Sequence, residues 1–334
     1  MKFRHRFWRI LLKFPSKLKI SKWSQGKLLK TESFHLETKP LGYRHREFLE
    51  SCLTKDFEPN ESKRVTACIV SSVQEIELLP LSTTAILTSQ EKSVENCFLV
   101  APRAEIKQIQ KVIPGEFTLI ADEDLLSAEL QQFIDESFPK VRRGWIKQQV
   151  LKILAAKLLG AHGTLLVDAD TILLRPQVWL STEGIQNLHT SIEYHAPYQR
   201  HYERFMLSRN YNPNIATQRP RVSFVTHHQL MQQDILEALF GEDLESFQNG
   251  LKSWLEYIDF SDTDSPACEW HTYGTFISSN FSNRIQLTQW SNLGMSRNSI
   301  FKKTGKKIMD VSVDDLMTEF GHANSLSLHH YINP

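Results

Sequence analysis

From about residue 61 onward, short apolar runs rich in β-branched residues alternate with longer stretches whose apolar positions recur at helical spacing. Such alternation predicts an α/β fold. Residues 65–70 read as a buried strand, 75–88 as a helix despite Pro80, 97–101 as a second strand and 117–121 as a third, so the first half is Rossmann-like. Over 145–159, Ile146, Val150, Ile153, Leu154 and Leu158 mark a helical face, and Gly160 with His162 and Gly163 supplies a stop. The strand 164–167 follows and ends abruptly in Asp168-Ala169-Asp170. Beyond Pro176 the spacing loosens. Residues 194–220, rich in His, Arg, Tyr and Asn, read as a substrate-facing loop, 222–226 as a short strand and 229–240 as a helix. Then come 247–258, a turn at 261–266 and a compact segment at 268–278.

The 334 residues suffice for one large α/β domain, placed at 61–334 behind a basic extension and connector at 1–60. With 41% hydrophobic and 23% charged residues, wholesale disorder is excluded. The formal charge of +1 hides an asymmetry, because residues 1–30 hold ten Lys or Arg and no acid, which leaves the remainder mildly acidic. Phe3, Phe7 and Leu11 would share one face if that start were helical, so it reads either as a peripheral contact with an anionic membrane or as a solvated basic tail. Lys13 and Pro15 interrupt the apolar run a signal peptide would need, and no stretch approaches the roughly 18 apolar residues of a spanning helix. The expected location is cytoplasmic, at most peripheral on the inner face of the membrane. Cys52, Cys68, Cys97 and Cys268 lack zinc or disulfide spacing and read as reduced core thiols.

Candidate chemistry concentrates at Asp168 and Asp170, since ligands gather where strands of an open α/β sheet emerge. Two carboxylates one residue apart can share a hard cation such as Mn²⁺ or Mg²⁺, which favours oxygen ligands and substrate phosphates. Asp-x-Asp alone is weak evidence, but here it follows Leu165-Leu166-Val167 and precedes Ile172-Leu173-Leu174-Arg175-Pro176. In the preceding helix Gln148 and Lys152 lie four apart on one face, and Arg142 and Arg143 come just before it. His227 and His228 follow the 222–226 strand, where alternation turns one of them toward the sheet core. His228 is the choice as a third metal ligand, with His329 and His330 as competitors. Glu269 is the candidate general base or acceptor-binding carboxylate. Trp270 and Tyr273 either stack on a sugar or pack.

Three segments together resemble a poorly characterised bacterial family of DxD-containing glycosyltransferases of GT-A type. They are Gly144-Trp145-Ile146-Lys147-Gln148-Gln149-Val150-Leu151-Lys152 with its DxD strand, Ser223-Phe224-Val225-Thr226-His227-His228, and Glu269-Trp270-His271-Thr272-Tyr273-Gly274. The resemblance spans about residues 64–280 and departs at His271, where the family pattern often has a second acid. It implies a GT-A-like, Rossmann-type nucleotide-diphospho-sugar transferase fold with a mixed central sheet flanked by helices. It also implies transfer from a nucleotide-diphosphate sugar to a hydroxyl-bearing glycan or lipid-linked acceptor, as in surface polysaccharide or glycolipid synthesis, and no nucleic-acid partner. In that scheme Ser71, Gln148, Gln149, Lys152 and Asp168 bind the donor, Asp168, Asp170 and His228 bind the metal, and Glu269 and Asp170 are catalytic. Two rivals stay open. Asp168-Ala169-Asp170-Thr171 is similar to the motif of haloacid-dehalogenase phosphatases, although Ile172 breaks their pattern, about 100 residues of α/β pattern precede it, and only Asp314-Asp315 offers a late acidic pair. The other rival is a GT-A-like module that binds a nucleotide or glycan without turnover.

Overall fold

The segment Val-Thr-Ala-Cys-Ile-Val is buried at all six positions and forms β1 (Val65–Val70). A strand enclosed on both faces belongs in a parallel sheet with helices on either side. The computed structural model, which describes residues 62–209 and 223–329 apart from 192, 194 and 262, has that arrangement. The expectations for the basic extension, Cys52, Tyr194, residues 210–222 and His330 lie outside the described residues. β1 runs parallel to β2 (Val94–Ala101) on one side and to β4 (Thr164–Asp168) on the other. β3 (Phe117–Ala121) extends the sheet parallel to β2, and β7 (His228–Met231) closes the far edge antiparallel to β4. The order β3-β2-β1-β4-β7 is a mixed central sheet in an α/β fold.

α1 (Leu79–Ser89) packs with Trp179 and Trp290 against one face of this sheet. The opposite face carries α3 (Lys140–Leu159), preceded by α2 (Ala128–Ser137), with α5 (Gln233–Phe240), α6 (Leu244–Glu256) and α7 (Glu269–Asn280) outside it. Ile146, Val150, Ile153, Leu154, Trp254 and Phe276 fill this larger core. A second sheet joins β5 (Thr171–Leu173), β10 (Ser325–His329) and β9 (Asn292–Ser296), with α8 (Arg297–Thr304) and α9 (Val313–Phe320) packed on it through Ile172, Leu316 and Leu326. A parallel pair, β6 (Gln186–Thr190) and β8 (Ile285–Gln289), completes the strands. Cys68, Cys97 and Cys268 are free and buried. Among the described residues no helix is long and apolar enough to cross a membrane.

Several expected boundaries move. The helix expected at 75–88 begins at Leu79, so Pro80 sits in its first turn, where a missing N–H costs nothing. The helix expected from 145 begins at Lys140. Residues 223–226 form no strand beyond an isolated bridge between Ser223 and Ser191; the strand is His228–Met231, and the helix expected from 229 starts only at Gln233. The loop expected over 194–220 holds a helix, α4 (Ala196–Ser208), which Pro197 opens in its first turn. The segments at 247–258 and 268–278 are α6 and α7.

The α5–α6 contact depends on a glycine inside a helix. A Cβ at Gly250 would run into the carbonyl group of Phe240, with the carbonyl carbon at 2.8 Å. Alanine is the better helix former by about 1 kcal/mol, yet Gly250→Ala is expected to destabilise the protein by roughly 1–3 kcal/mol because backbone must move. Urea unfolding measures this; equal or higher stability would show that the two helices separate freely.

Candidate active site

Alternation along β4 sends Leu165 and Val167 to the Trp179 side of the sheet and Leu166 and Asp168 to the α3 side. On α3, Lys152 lies where Asp168 emerges. Its Nζ donates to Asp168 Oδ1 and, at 2.6 Å, to Glu269 Oε1, and it stands 4.3 Å over the Trp270 ring. Glu269 opens α7, with its backbone N–H donating to Gln149 Oε1 at 3.2 Å. One turn along α3, Gln148 Nε2 donates to the carbonyl of Val70 at 3.3 Å, and Ser71 follows at the carboxyl end of β1, one residue beyond Val70, which pairs with Asp168 in the strand register. The structure thus brings Ser71, Gln148, Gln149, Lys152, Asp168 and Glu269 together on adjoining elements.

The second oxygen of Asp168 faces His227, whose Nδ1 donates to Oδ2 at 3.2 Å, while Asp168 N donates back to His227 O at 2.9 Å. His227 holds φ at +62°, a left-handed conformation that non-glycine residues seldom adopt. Such strain, kept in place by hydrogen bonds on both sides, marks candidate functional positions. His227 Nε2 looks toward Glu193 Oε2 at 3.5 Å, an ion-pair distance. Two residues beyond Asp168, Asp170 leaves the strand. Its backbone carbonyl accepts from Leu328 N at 2.9 Å, and its Oδ2 accepts from His329 Nδ1 at 3.1 Å. The His227 and His329 rings lie 4.8 Å apart.

His228 points elsewhere, contrary to its expected place beside the two aspartates. Its Nδ1 donates to Thr226 O at 2.9 Å, so its Nε2 must accept from His189 Nδ1 at 3.0 Å, and Trp179 and Trp290 enclose the pair. Both ring nitrogens are engaged inside the core. The left-handed turn at His227 resets which neighbour faces the site. His271 is likewise buried, donating to Gln199 Oε1 at 2.9 Å. Trp270 and Tyr273 pack, the latter with its hydroxyl donating to Gln186 Oε1 and accepting from Gln232 N, both at 2.9 Å. Arg142 pairs with Asp264 at 2.8 Å, and Arg143 donates to the carbonyl of Phe138.

Electrostatics follow from burial and pairing. Burial opposes charge on Lys152, but Asp168 and Glu269 outweigh it and hold the ammonium protonated far beyond the usual lysine range. Burial also opposes charge on Asp168, and Lys152 with His227 overcomes it, holding that carboxyl well below the usual range. Glu269 is pushed up, because burial and the Asp168 charge outweigh what Lys152 returns. Burial would neutralise His227, but hydrogen bonds and charge from Asp168 and Glu193 raise it to about 10. Burial drives His228 down to about 3.

The His227 contribution to stability is therefore complete below about 6.5, its unfolded value, and is lost as pH rises through about 10. Imidazole NMR should show one histidine protonated through neutral pH that becomes ordinary in Asp168→Asn; a normal titration in the wild type would refute this placement.

Sequence reasoning singled out Asp168, Asp170, Lys152 and Glu269 and named His329, together with His330, as a competitor of His228. It missed Glu193, an unremarkable acid in a polar stretch, and His227, whose sign was its neighbour. Among the described residues no three His, Cys, Asp or Glu side chains form a ready metal cage. A cation that keeps several waters and shares substrate phosphates needs only one or two protein carboxylates, however. The donor chemistry of Asp168 and Asp170, with the His329 imidazole beside Asp170, fits such an ion.

These residues make an acidic centre, with one buried lysine beneath it, at the carboxyl end of a mixed α/β sheet. The chain belongs to a family of unknown function (DUF6492), whose sequence profile matches residues 70–296. No curated protein matches it by sequence. In structure it is similar to the galactosyltransferase LgtC in complex with donor and acceptor sugar analogs, at TM-score 0.44 and 9% identity, over 80% of this chain and 87% of that one. It is also similar to mouse xyloside xylosyltransferase 1 (TM-score 0.40, 9% identity, 80% and 99% covered) and to the glycosyltransferase GlyE of Streptococcus pneumoniae TIGR4 (0.37, 11%, 82% and 55%).

Proposed function

We propose that this protein is a GT-A-like, metal-dependent glycosyltransferase that moves a sugar from a nucleotide-diphosphate donor to a hydroxyl acceptor. The observation that carries the reading is the placement of Asp168 and Asp170 at the end of β4, each hydrogen-bonded to an imidazole from a distant segment, with the Lys152 ammonium beneath. A bound Mn²⁺ or Mg²⁺ would neutralise charge gathering on the departing diphosphate. Asp168 and Asp170 would hold it, with His329 next to Asp170. Lys152 keeps Asp168 ionised, and His227 fixes the direction of its second oxygen. Ser71, just past β1, and Gln148, on α3 and bonded to Val70 O, would meet the donor nucleotide.

Glu269 takes a different role from the expected base. Its side chain is 4% exposed and bound to Lys152, whereas that of Glu193 is 53% exposed. A general base must reach the proton it removes, so Glu269 is better described as positioning Lys152. The phosphatase rival asks Asp168 to open its motif, but Ile172 breaks the pattern that should follow. Its late acidic pair fares no better, because Asp315 caps α9 and pairs with Lys306.

The test is incubation of the full chain with UDP-, GDP- and CDP-sugars and Mn²⁺, reading transfer or slow donor hydrolysis. Turnover of one donor that stops on chelation supports the proposal. Phosphate release from a simple phosphomonoester, with no sugar nucleotide consumed, would replace it with the phosphatase.

A further inference from the structure

The segment from Phe301 to Met309 forms an exposed turn at the edge of the second sheet. α8 ends at Gly305, whose left-handed backbone (φ +71°) turns the chain, and Gly305 N donates to Phe301 O at 2.8 Å. Phe301 and Met309 stand on either side of this turn, 56% and 61% exposed. Between them lie Lys302, Lys303, Lys306 and Lys307, all exposed. Lys303 approaches Glu319 only loosely, at 3.9 Å, and Lys306 pairs with Asp315 at 2.8 Å. Lys302 and Lys307 have no ion-pair partner among the described residues. Met317, also exposed, lies on α9, which packs beside α8. A single exposed hydrophobe needs no explanation. Here an aromatic ring and a thioether flank a lysine cluster on one short turn.

We propose that this turn docks on an anionic lipid surface, with the Phe301 and Met309 side chains entering the headgroup layer and the lysines meeting lipid phosphates. Charge complementarity selects this occupant, since unpaired lysines beside exposed apolar tips match a negatively charged interface. A second part of the chain has the same chemistry: residues 1–30 mix ten Lys or Arg with Phe3, Phe7, Trp8, Leu11, Leu12 and Phe14 and contain no acid. One weak interfacial signal gives marginal attachment, and two together give a stable one. α8 starts directly after Ser296, which pairs in register with His329 on the neighbouring strand. The turn itself is at the other end of α8, so docking would hold the acidic centre one short helix, about 12 Å, from the lipid surface. The attachment itself does not depend on the glycosyltransferase reading.

Sedimentation of the full chain with vesicles tests it, using phosphatidylcholine alone and phosphatidylcholine with phosphatidylglycerol as the minor component. The variant Lys302→Glu/Lys307→Glu removes cations that form no ion pair among the described residues, and Phe301→Ser/Met309→Ser removes the apolar tips. Each lysine near an anionic leaflet contributes about fivefold to partitioning. Wild type should bind only the anionic vesicles, each double variant should bind at least tenfold more weakly, and unfolding midpoints should not change. Equal binding of wild type and variants, binding indifferent to phosphatidylglycerol, or no binding of wild type would each overturn the proposal. A variant with a lowered midpoint is replaced by Lys302→Gln/Lys307→Gln, read by the same criteria.

Discussion

Replacing Lys152 with methionine is expected to destabilise the protein by about 3–5 kcal/mol, the usual consequence of removing one partner from a buried ion pair. Methionine matches the length of the stem, so little packing is lost; what remains is a half-buried Asp168 and a buried Glu269, facing one another without the ammonium that each now binds. The pH dependence identifies the cause. In the wild type, Asp168 is held below its ordinary value, so its stabilising contribution is present above about pH 4 and fades as pH falls through its depressed folded value. Without Lys152, Glu269 favours the protonated form more strongly and Asp168 keeps only His227 to hold its charge. The deficit of Lys152→Met should therefore be largest near neutrality and shrink as pH falls into the carboxylate range. Urea unfolding at several pH values measures both quantities. A deficit below about 1 kcal/mol, or one independent of pH, would show that the triad is open to water.

Asp170→Ala is expected to lower metal-dependent sugar transfer about a hundredfold or more, the scale on which one transition-state charge contact acts. Stability should change little, because Asp170 lies beyond the core of β4 and its carboxylate partner among the described residues is one imidazole. Activity assays paired with thermal unfolding separate the two effects. Full activity in Asp170→Ala would remove this carboxylate from the chemistry, and a large loss of stability would make it a structural link between β4 and β10.

Much of this arrangement is legible in the amino-acid sequence. The strands at 65–70, 117–121 and 164–167 are short, mostly apolar runs, and the face of α3 shows in Ile146, Val150, Ile153 and Leu154, because burial of β1 and β4 inside a parallel sheet leaves a strong pattern. Asp168 and Lys152 stand out separately in the sequence, but their contact depends on how α3 packs against β4. β7 is harder. It has only four residues, and Leu230, Met231, Ile235, Leu236 and Leu239 keep helical spacing across the break at Gln232, so strand and helix merge in the pattern. The choice between His227 and His228 turns on one left-handed residue that no periodicity records. The partnership of His329 with Asp170 joins positions 159 residues apart and exists only because β10 pairs with β5. Glu193 carries no signal at all, since a lone acid in a polar stretch looks like solvated surface.

In the proposed function, Asp168 and Asp170 form a cation-dependent site for a nucleotide diphosphate. Thermal unfolding of the full chain with UDP-, GDP- and CDP-sugars, each with and without Mn²⁺, tests it most directly. A ligand at a hundredfold excess over its Kd stabilises the folded state by about 2.7 kcal/mol, which for a protein of this size raises the midpoint by roughly 4–8 °C. The expected result is such a shift with at least one sugar nucleotide, only with the metal present, and none in Asp170→Ala. A midpoint unmoved by every donor, or an equal shift without metal or in the variant, would contradict it.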